Sequence, residues 1–170
     1  MDQKLAIMFA AISQRVVDVM NERTGALLAM GNQEVAAMII IGSESGLTAE
    51  RLSTVLMMSH SGCLRLVERL MLAGYVDRHD GRNKREKAIH LTELGAKMRT
   101  DLLSARQSAA WEILSHLDPA ERNAMRTYIL RMLDRMEPEG LGKDGLCRLC
   151  DRLACERCPA NMLGQTEWRH

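Results

Sequence analysis

Four cysteines lie within twelve residues near the end of the chain, at Cys147, Cys150, Cys155 and Cys158. Each pair has the spacing Cys-x2-Cys, which turns two sulfur atoms toward one small ion, and two such pairs can complete a tetrahedron. This pattern predicts a bound metal. Zinc is the favoured interpretation, an iron–sulfur cluster is the second, and free or reversibly oxidised thiols are the third. Zinc would stabilise a tail that is too small to fold alone, whereas an iron–sulfur cluster would sense iron, oxygen or redox state.

A second group of chemistry-bearing side chains is basic and lies in residues 48–92. This stretch contains eight Lys and Arg residues against five Asp and Glu residues, whereas the net charge of the whole chain is only +1. A local cluster of positive charge is attracted to the phosphate backbone of nucleic acids. Arg82, Lys84 and Arg85 directly follow Asp80-Gly81, a hairpin-turn signal, and are therefore expected at a hairpin tip. A solvated hairpin beside an ordinary helix pair is the alternative interpretation.

The order of elements around these basic residues favours DNA binding over that alternative. Apolar periodicity predicts helices over residues 48–58 and 59–73, and short strands at 75–76 and 88–91 flank the basic turn. A helix enters the major groove of DNA when a companion helix holds its buried face, while a hairpin reaches the backbone or minor groove. The candidate DNA contacts on the second helix are Ser59, His60, Ser61, Leu64, Arg65 and Arg69.

Helical stripes on both sides of this stretch predict the rest of the architecture. They indicate helices over residues 5–19, 33–41 and 92–116, and one that begins with Asp118 as N-cap. Thr24-Gly25 and Gly31-Asn32 are expected to punctuate the segment that follows the first of them. The predicted fold is mainly α with a small β-hairpin. Residues 1–137 form one winged-helix unit, with a DNA-binding lobe at about 33–92 and dimerisation helices at about 1–30 and 93–137, and 138–170 form a cysteine-rich tail.

Composition narrows the classes of function. Hydrophobic residues make up 46% of the chain and aromatic residues only 3%, so the core must be aliphatic and rich in the 13 methionines. No apolar run approaches the ~20 residues needed to span a bilayer, and we expect a cytoplasmic protein with reduced cysteines. The sequence contains no nucleophile–base pair and no phosphate-binding glycine loop, so it predicts neither an enzyme nor an organic cofactor.

Cys63 is expected to pack as a small hydrophobe, with an oxidation sensor as the alternative. The histidines, including His79 and His90, are scattered and predict no ligand site.

The stretch AERLSTVLMMSHSGCLRLVERLMLAGYVDR, followed by NKREKAIHLTELG, resembles the winged-helix core of the MarR family of bacterial transcription regulators. The matching features include Ser59 at the start of the recognition helix, Gly74-Tyr75-Val76, and Ile89-x-Leu91-Thr92 on the return strand of the wing. With the flanking helices, the resemblance covers roughly residues 1 to 137.

The resemblance implies a homodimeric regulator that binds a palindromic operator, with half-sites about one helical turn, ~34–36 Å, apart. It also implies an inducer bound between the dimer helices and the winged lobe, where Leu- and Met-rich helices would suit a small apolar or aromatic effector. The function predicted is a repressor released by a ligand or by a metal or redox signal. A protein-interaction module built on a winged-helix scaffold with a metal-stapled tail is the alternative, and a redox enzyme is less favoured.

Overall fold

The structure, a computed structural model, describes residues 2–80, 87–135 and 148–151. This part of the chain forms six helices and one antiparallel β-hairpin, which confirms the predicted mainly α fold. In chain order the elements are α1 (Gln3–Leu27), α2 (Asn32–Ser43), α3 (Ala49–Leu56), α4 (His60–Leu72), β1 (Val76–Asp80), β2 (Lys87–Leu91), α5 (Glu93–Leu114) and α6 (Pro119–Arg135).

Side-chain caps fix where the helices of the central region begin. Thr48, Ser59 and Thr92 each accept a hydrogen bond from the backbone N–H three residues further on, at 3.2, 3.2 and 3.0 Å. Each cap satisfies one of the amides that the first turn of a helix leaves without a partner. The N-terminal boundaries of α3, α4 and α5 therefore follow directly from residue type.

The C-terminal ends of the first and third helices differ from those predicted. The first helix continues through Thr24 and Gly25 to Leu27, because Thr24 is buried and its hydroxyl donates to the carbonyl of Met20 at 2.9 Å. The packing of the buried Thr24 outweighs the low helix propensity of the Thr-Gly pair. The third helix ends at Leu56, two residues early, since Met57 takes a left-handed conformation with φ of +52°.

The hydrophobic core is built around α2. Every residue from 35 to 41 is buried, so this helix is apolar on all sides and lies inside the fold. It contacts α3, α4, α5 and β2, while α1 packs mainly against α5. Core residues of α3 and α4, including Leu52, Val55, Leu66 and Leu70, close over it.

The hairpin is attached to this core through its return strand. In its register Val76 lies opposite Leu91 and Asp80 opposite Lys87. Ile89 is fully buried, and it pairs through a further β-bridge with Leu47, which precedes α3. The strands are longer than the sequence predicted, because cross-strand hydrogen bonding carries β1 through charged residues that have no strand-like pattern.

No single helix in the described ranges is long and apolar enough to span a bilayer. Only α1 and α2 taken together reach that length and apolarity, and they are bent by 80° at the break between them.

Candidate nucleic-acid interface

The two sides of α4 differ completely in exposure. Cys63, Leu66, Val67 and Leu70 are fully buried, as their spacing predicted. Ser59, His60, Ser61 and Arg65 are exposed, and Leu64 is half-buried at the boundary between the two sides. Helix α3 packs behind α4 and holds the buried side in place. The polar side of α4 is therefore free to enter a groove on another molecule.

The first turn of α4 presents backbone amides beside small hydroxyls. Ser59 Oγ accepts a hydrogen bond from the Gly62 amide and lies 3.4 Å from Ser61 Oγ. A Cβ at position 62 would lie 3.0 Å from Ser59 Oγ, so glycine leaves room for the cap. The positive end of the helix dipole also lies here, which makes this turn suited to a phosphate oxygen.

The two arginines predicted as contacts on α4 have different surroundings. Arg65 is exposed and hydrogen-bonds to none of the other residues that the structure describes. Arg69 donates from Nε to Glu34 Oε1 at 3.1 Å and also through its Nη2. Because Glu34 on α2 is only 8% exposed, this ion pair joins α4 to the core helix. No local sequence pattern indicates that structural role, and a DNA contact by Arg69 stays a prediction.

The hairpin carries charge at its outer end. Asp80, the last residue of β1, is paired with Lys87, the first of β2. The hydrogen bond from Lys87, with its positive charge, lowers the pKa of the Asp80 carboxyl. The predicted contacts Arg82, Lys84 and Arg85 lie between these two residues in sequence, outside the described ranges, so their roles stay predictions.

A pair of histidines on one face of the hairpin was missed by sequence reasoning. The rings of His79 and His90 lie edge to face with centroids 5.3 Å apart, and Ser45 Oγ lies 3.1 Å from His90 Nδ1. Antiparallel pairing brings the two histidines together, and no helical spacing could have shown it. The described residues contain no group of three His, Cys, Asp or Glu side chains that could hold a metal ion. Through the contact with Ser45, the pair connects the hairpin to the loop before α3.

The buried thiol of Cys63 on α4 lies near the partly buried side chain of Arg78 on β1. Burial raises the pKa of Cys63, and the positive charge of Arg78 on β1 partly opposes that rise. Arg78 Nη2 is itself buried and finds no hydrogen-bond partner among the described residues. The thiol is protonated at neutral pH, so its environment suits packing better than nucleophilic reactivity.

The structure describes one of the four tail cysteines. Cys150 is exposed, and its neighbour Leu149 packs against the hydrophobic core. Cys147, Cys155 and Cys158 lie outside the described residues, so the predicted metal site stays a prediction. Burial lowers the pKa of Arg106 on α5, an effect that Cys150 opposes and Arg148 reinforces, which indicates that the three groups are close.

Comparison with solved structures assigns this arrangement to a known fold. The structure is similar to MepR, a transcription regulator of the Staphylococcus aureus multidrug efflux pump MepA, with a TM-score of 0.69, 19% identity and coverage of 78% of this chain and 98% of that chain. The fold is that of the MarR-type winged-helix regulators. RV1404 from Mycobacterium tuberculosis gives a TM-score of 0.72 at 18% identity, covering 79% of this chain and 94% of that chain.

The multiple antibiotic-resistance repressor MarR from Listeria monocytogenes also shares the MarR-type fold. Its TM-score is 0.60 at 15% identity, with 76% of this chain and 90% of that chain covered. At these identities the similarity establishes the fold alone. No protein-family model and no curated protein sequence matches the chain.

Replacing Cys63 tests whether its thiol is a packing group. A serine hydroxyl at this fully buried position would lose its hydration, so Cys63→Ser should lower the free energy of unfolding by ~1–3 kcal/mol. Urea denaturation with reductant and chelator present measures the change. The matched control is the exposed Cys150→Ser, which should stay within ~0.5 kcal/mol of wild type. Equal effects of the two substitutions would contradict the assignment.

Proposed function

We propose that the chain is a sequence-specific, DNA-binding transcription regulator that acts as a homodimer. The observation that carries this proposal is α4, whose one side is wholly buried while its first turn is polar, exposed and adjacent to a charged hairpin. The MarR-type fold supports it. A mutant of MepR with this fold, 20% identical with a TM-score of 0.61, has been solved bound to an oligodeoxyribonucleotide.

In the proposed complex α4 lies in the major groove. His60, Ser61 and Arg65 reach base edges, and the exposed Arg65 is the side chain best suited to a bidentate contact with guanine. Ser59 and the half-exposed Arg69 contact phosphates, and Leu64 packs against the groove. The hairpin arginines and lysine, Arg82, Lys84 and Arg85, contact the backbone or the minor groove beside it.

The exposed apolar surface of α1 and α6 supports a homodimer. Helix α6 buries none of its residues within a single chain, although Tyr128, Ile129, Leu130 and Met132 lie on it. The N-terminal half of α1 likewise exposes large apolar side chains, namely Leu5, Ile7, Met8 and Phe9. Large apolar side chains exposed in this number on two helices are typical of an interface. A twofold axis through it would present two copies of α4 to a palindromic operator.

A cavity supports a response to a small apolar or aromatic effector. It has a volume of about 340 Å³ and lies between α1, α5 and residues 149–151, so it is lined by the predicted dimerisation helices and the tail rather than by the winged lobe. Met20, Leu103 and Ala110 line it, with Arg106 and Gln107 as polar groups. Sites for small molecules have this apolar lining with a few polar groups. We propose that an effector bound here, or a metal or redox change at the tail cysteines, releases the protein from DNA.

The tail cysteines have the donor chemistry for the proposed metal. Four thiols in two Cys-x2-Cys pairs suit zinc or an iron–sulfur cluster, and the exposed Cys150 is accessible to an ion. Cys147, Cys155 and Cys158 would complete the ligand set. Zinc would supply folding energy to the tail, whereas a cluster would supply redox sensitivity.

Replacing Arg65 tests whether α4 contacts the bases of DNA. With a duplex selected by the wild-type protein from a random-sequence library, Arg65→Ala should weaken binding by ~1–3 kcal/mol, because a base contact is lost. Fluorescence anisotropy over a range of salt concentrations measures the loss, and binding should fall steeply with salt. Arg135→Ala, at the exposed end of α6, is the matched control. Full-strength binding by Arg65→Ala would refute this contact.

A charge placed on α6 tests the homodimer. Ile129→Glu should raise the dimer dissociation constant by about a hundredfold or more, because burying an unpaired carboxylate costs several kcal/mol. Light scattering coupled to size exclusion measures the mass across a dilution series. Thr127→Glu places the same charge at a polar position of the same helix and should dissociate the dimer less. A variant that stays as dimeric as wild type would exclude this face as the interface.

Metal analysis tests the tail site. Protein purified without oxygen should contain either one zinc per chain, or iron and sulfide with broad visible absorption. Replacing Cys147, Cys150, Cys155 and Cys158 with serine should abolish the metal, whereas Cys63→Ser should retain it because that thiol is buried elsewhere. If the wild-type protein contains no metal, the remaining interpretation is that the four cysteines are free or reversibly oxidised thiols.

A further inference from the structure

Residues 148–151 form a short turn that is docked on the helices. Leu149 is partly buried and packs against the core formed by the winged lobe and α5. Asp151 Oδ1 accepts a hydrogen bond from Arg99 Nη2 at 3.2 Å, and its side chain is only 23% exposed. An apolar anchor and a charged anchor two residues apart therefore hold this segment, which we call the latch.

Arg99 connects the latch to the core helix. Its side chain is 12% exposed, and it leaves α5 to donate to the carbonyl of Ile39 at 3.3 Å and to Ser43 Oγ at 3.0 Å. Both acceptors belong to the last turns of α2. One guanidinium therefore holds α5, the C-terminal end of α2 and the latch together.

The path of Arg99 depends on a glycine in α2. A Cβ at position 42 would lie 2.1 Å from Arg99 Cδ and 2.5 Å from its Nε. The side chain therefore rests directly on the α2 backbone, where it is largely shielded from water. A buried cation needs an anion to offset its lost hydration, and Asp151 supplies one.

The opposite end of α2 is tied to the recognition helix. Glu34, near the start of α2, pairs with Arg69 of α4. Arg99 of α5 thus links the latch, through an ion pair, to the end of α2, which it holds by hydrogen bonds. A second ion pair joins the start of α2 to α4. Between these contacts α2 is fully buried, so a displacement of either end must be accommodated by the packing around the whole helix.

We propose that the α1–α5 surface is a docking site for the chain's own latch, which couples the cysteine tail to the position of α4. Cys150 lies between Leu149 and Asp151, and consecutive Cα atoms are ~3.8 Å apart, so metal binding or oxidation that moves the Cys150 backbone also moves both anchors. The latch also forms one wall of the effector cavity, through Leu149, Cys150 and Asp151. The coupling to DNA rests on the proposed function, whereas the docking does not.

Asp151→Asn tests the docking, because it removes the charge and keeps the shape. In the full chain, hydrogen exchange of residues 37–44 should become about fivefold faster or more, since Arg99 loses its anion and holds α2 less firmly. Leu149→Ser, which removes the apolar anchor, should act in the same direction. The matched control is Asp101→Asn, an exposed aspartate on the same helix as Arg99. Thermal melting verifies that all variants are folded.

The same variants test the coupling to DNA. The affinity for the duplex selected by wild type should change about fivefold or more in Asp151→Asn and remain unchanged in Asp101→Asn. Exchange rates in Asp151→Asn equal to those of the control would overturn the docking. Faster exchange with unchanged duplex affinity would overturn the coupling. If wild type binds no duplex, the proposed function fails, and the exchange rates still decide whether the latch is docked.

Discussion

The burial of α2 on all sides is the constraint on which the rest of the structure depends. A helix without a polar side cannot lie at a surface, so other elements must surround it. Helices α3 and α4 cover it within the winged lobe, α5 connects the lobe to α1, and the return strand of the hairpin closes the remaining side. Its polar contacts are confined to its ends, where Glu34 and Ser43 meet arginines from other helices.

This arrangement explains why the candidate interface has a fixed geometry. Helix α4 uses one full side for packing, so its orientation follows from the core, and its first turn faces away from that core. The short turn at Met57 and the cap at Ser59 set where the helix begins. A recognition surface held by the core in this way does not need to be organised when a ligand arrives, which lowers the entropy lost on binding.

The sequence predicted what is encoded locally. Caps at Thr48, Ser59 and Thr92, the buried stripe of α4 and the position of the hairpin all follow from residue type and spacing over a few positions. The continuation of α1 through Thr24-Gly25 did not, because tertiary packing overrides weak propensity there. The pairs Glu34–Arg69 and Arg99–Asp151 join residues 35 and 52 positions apart, which no local pattern indicates. The tip of the hairpin and most of the cysteine tail remain predictions.

The contact between Gly42 and Arg99 also has a consequence for how these positions evolve. As long as position 99 carries arginine, a side chain at position 42 collides with that arginine. If residue 151 loses its negative charge, Arg99 loses the anion with which it pairs. A neutral, smaller residue at position 99 would remove the need for a charge at position 151. It would leave Leu91 Cδ1, 2.8 Å from the Cβ position, as the neighbour that limits position 42. The three positions are distant in the sequence, yet they should accept or reject substitutions as one unit, and related chains should change them together.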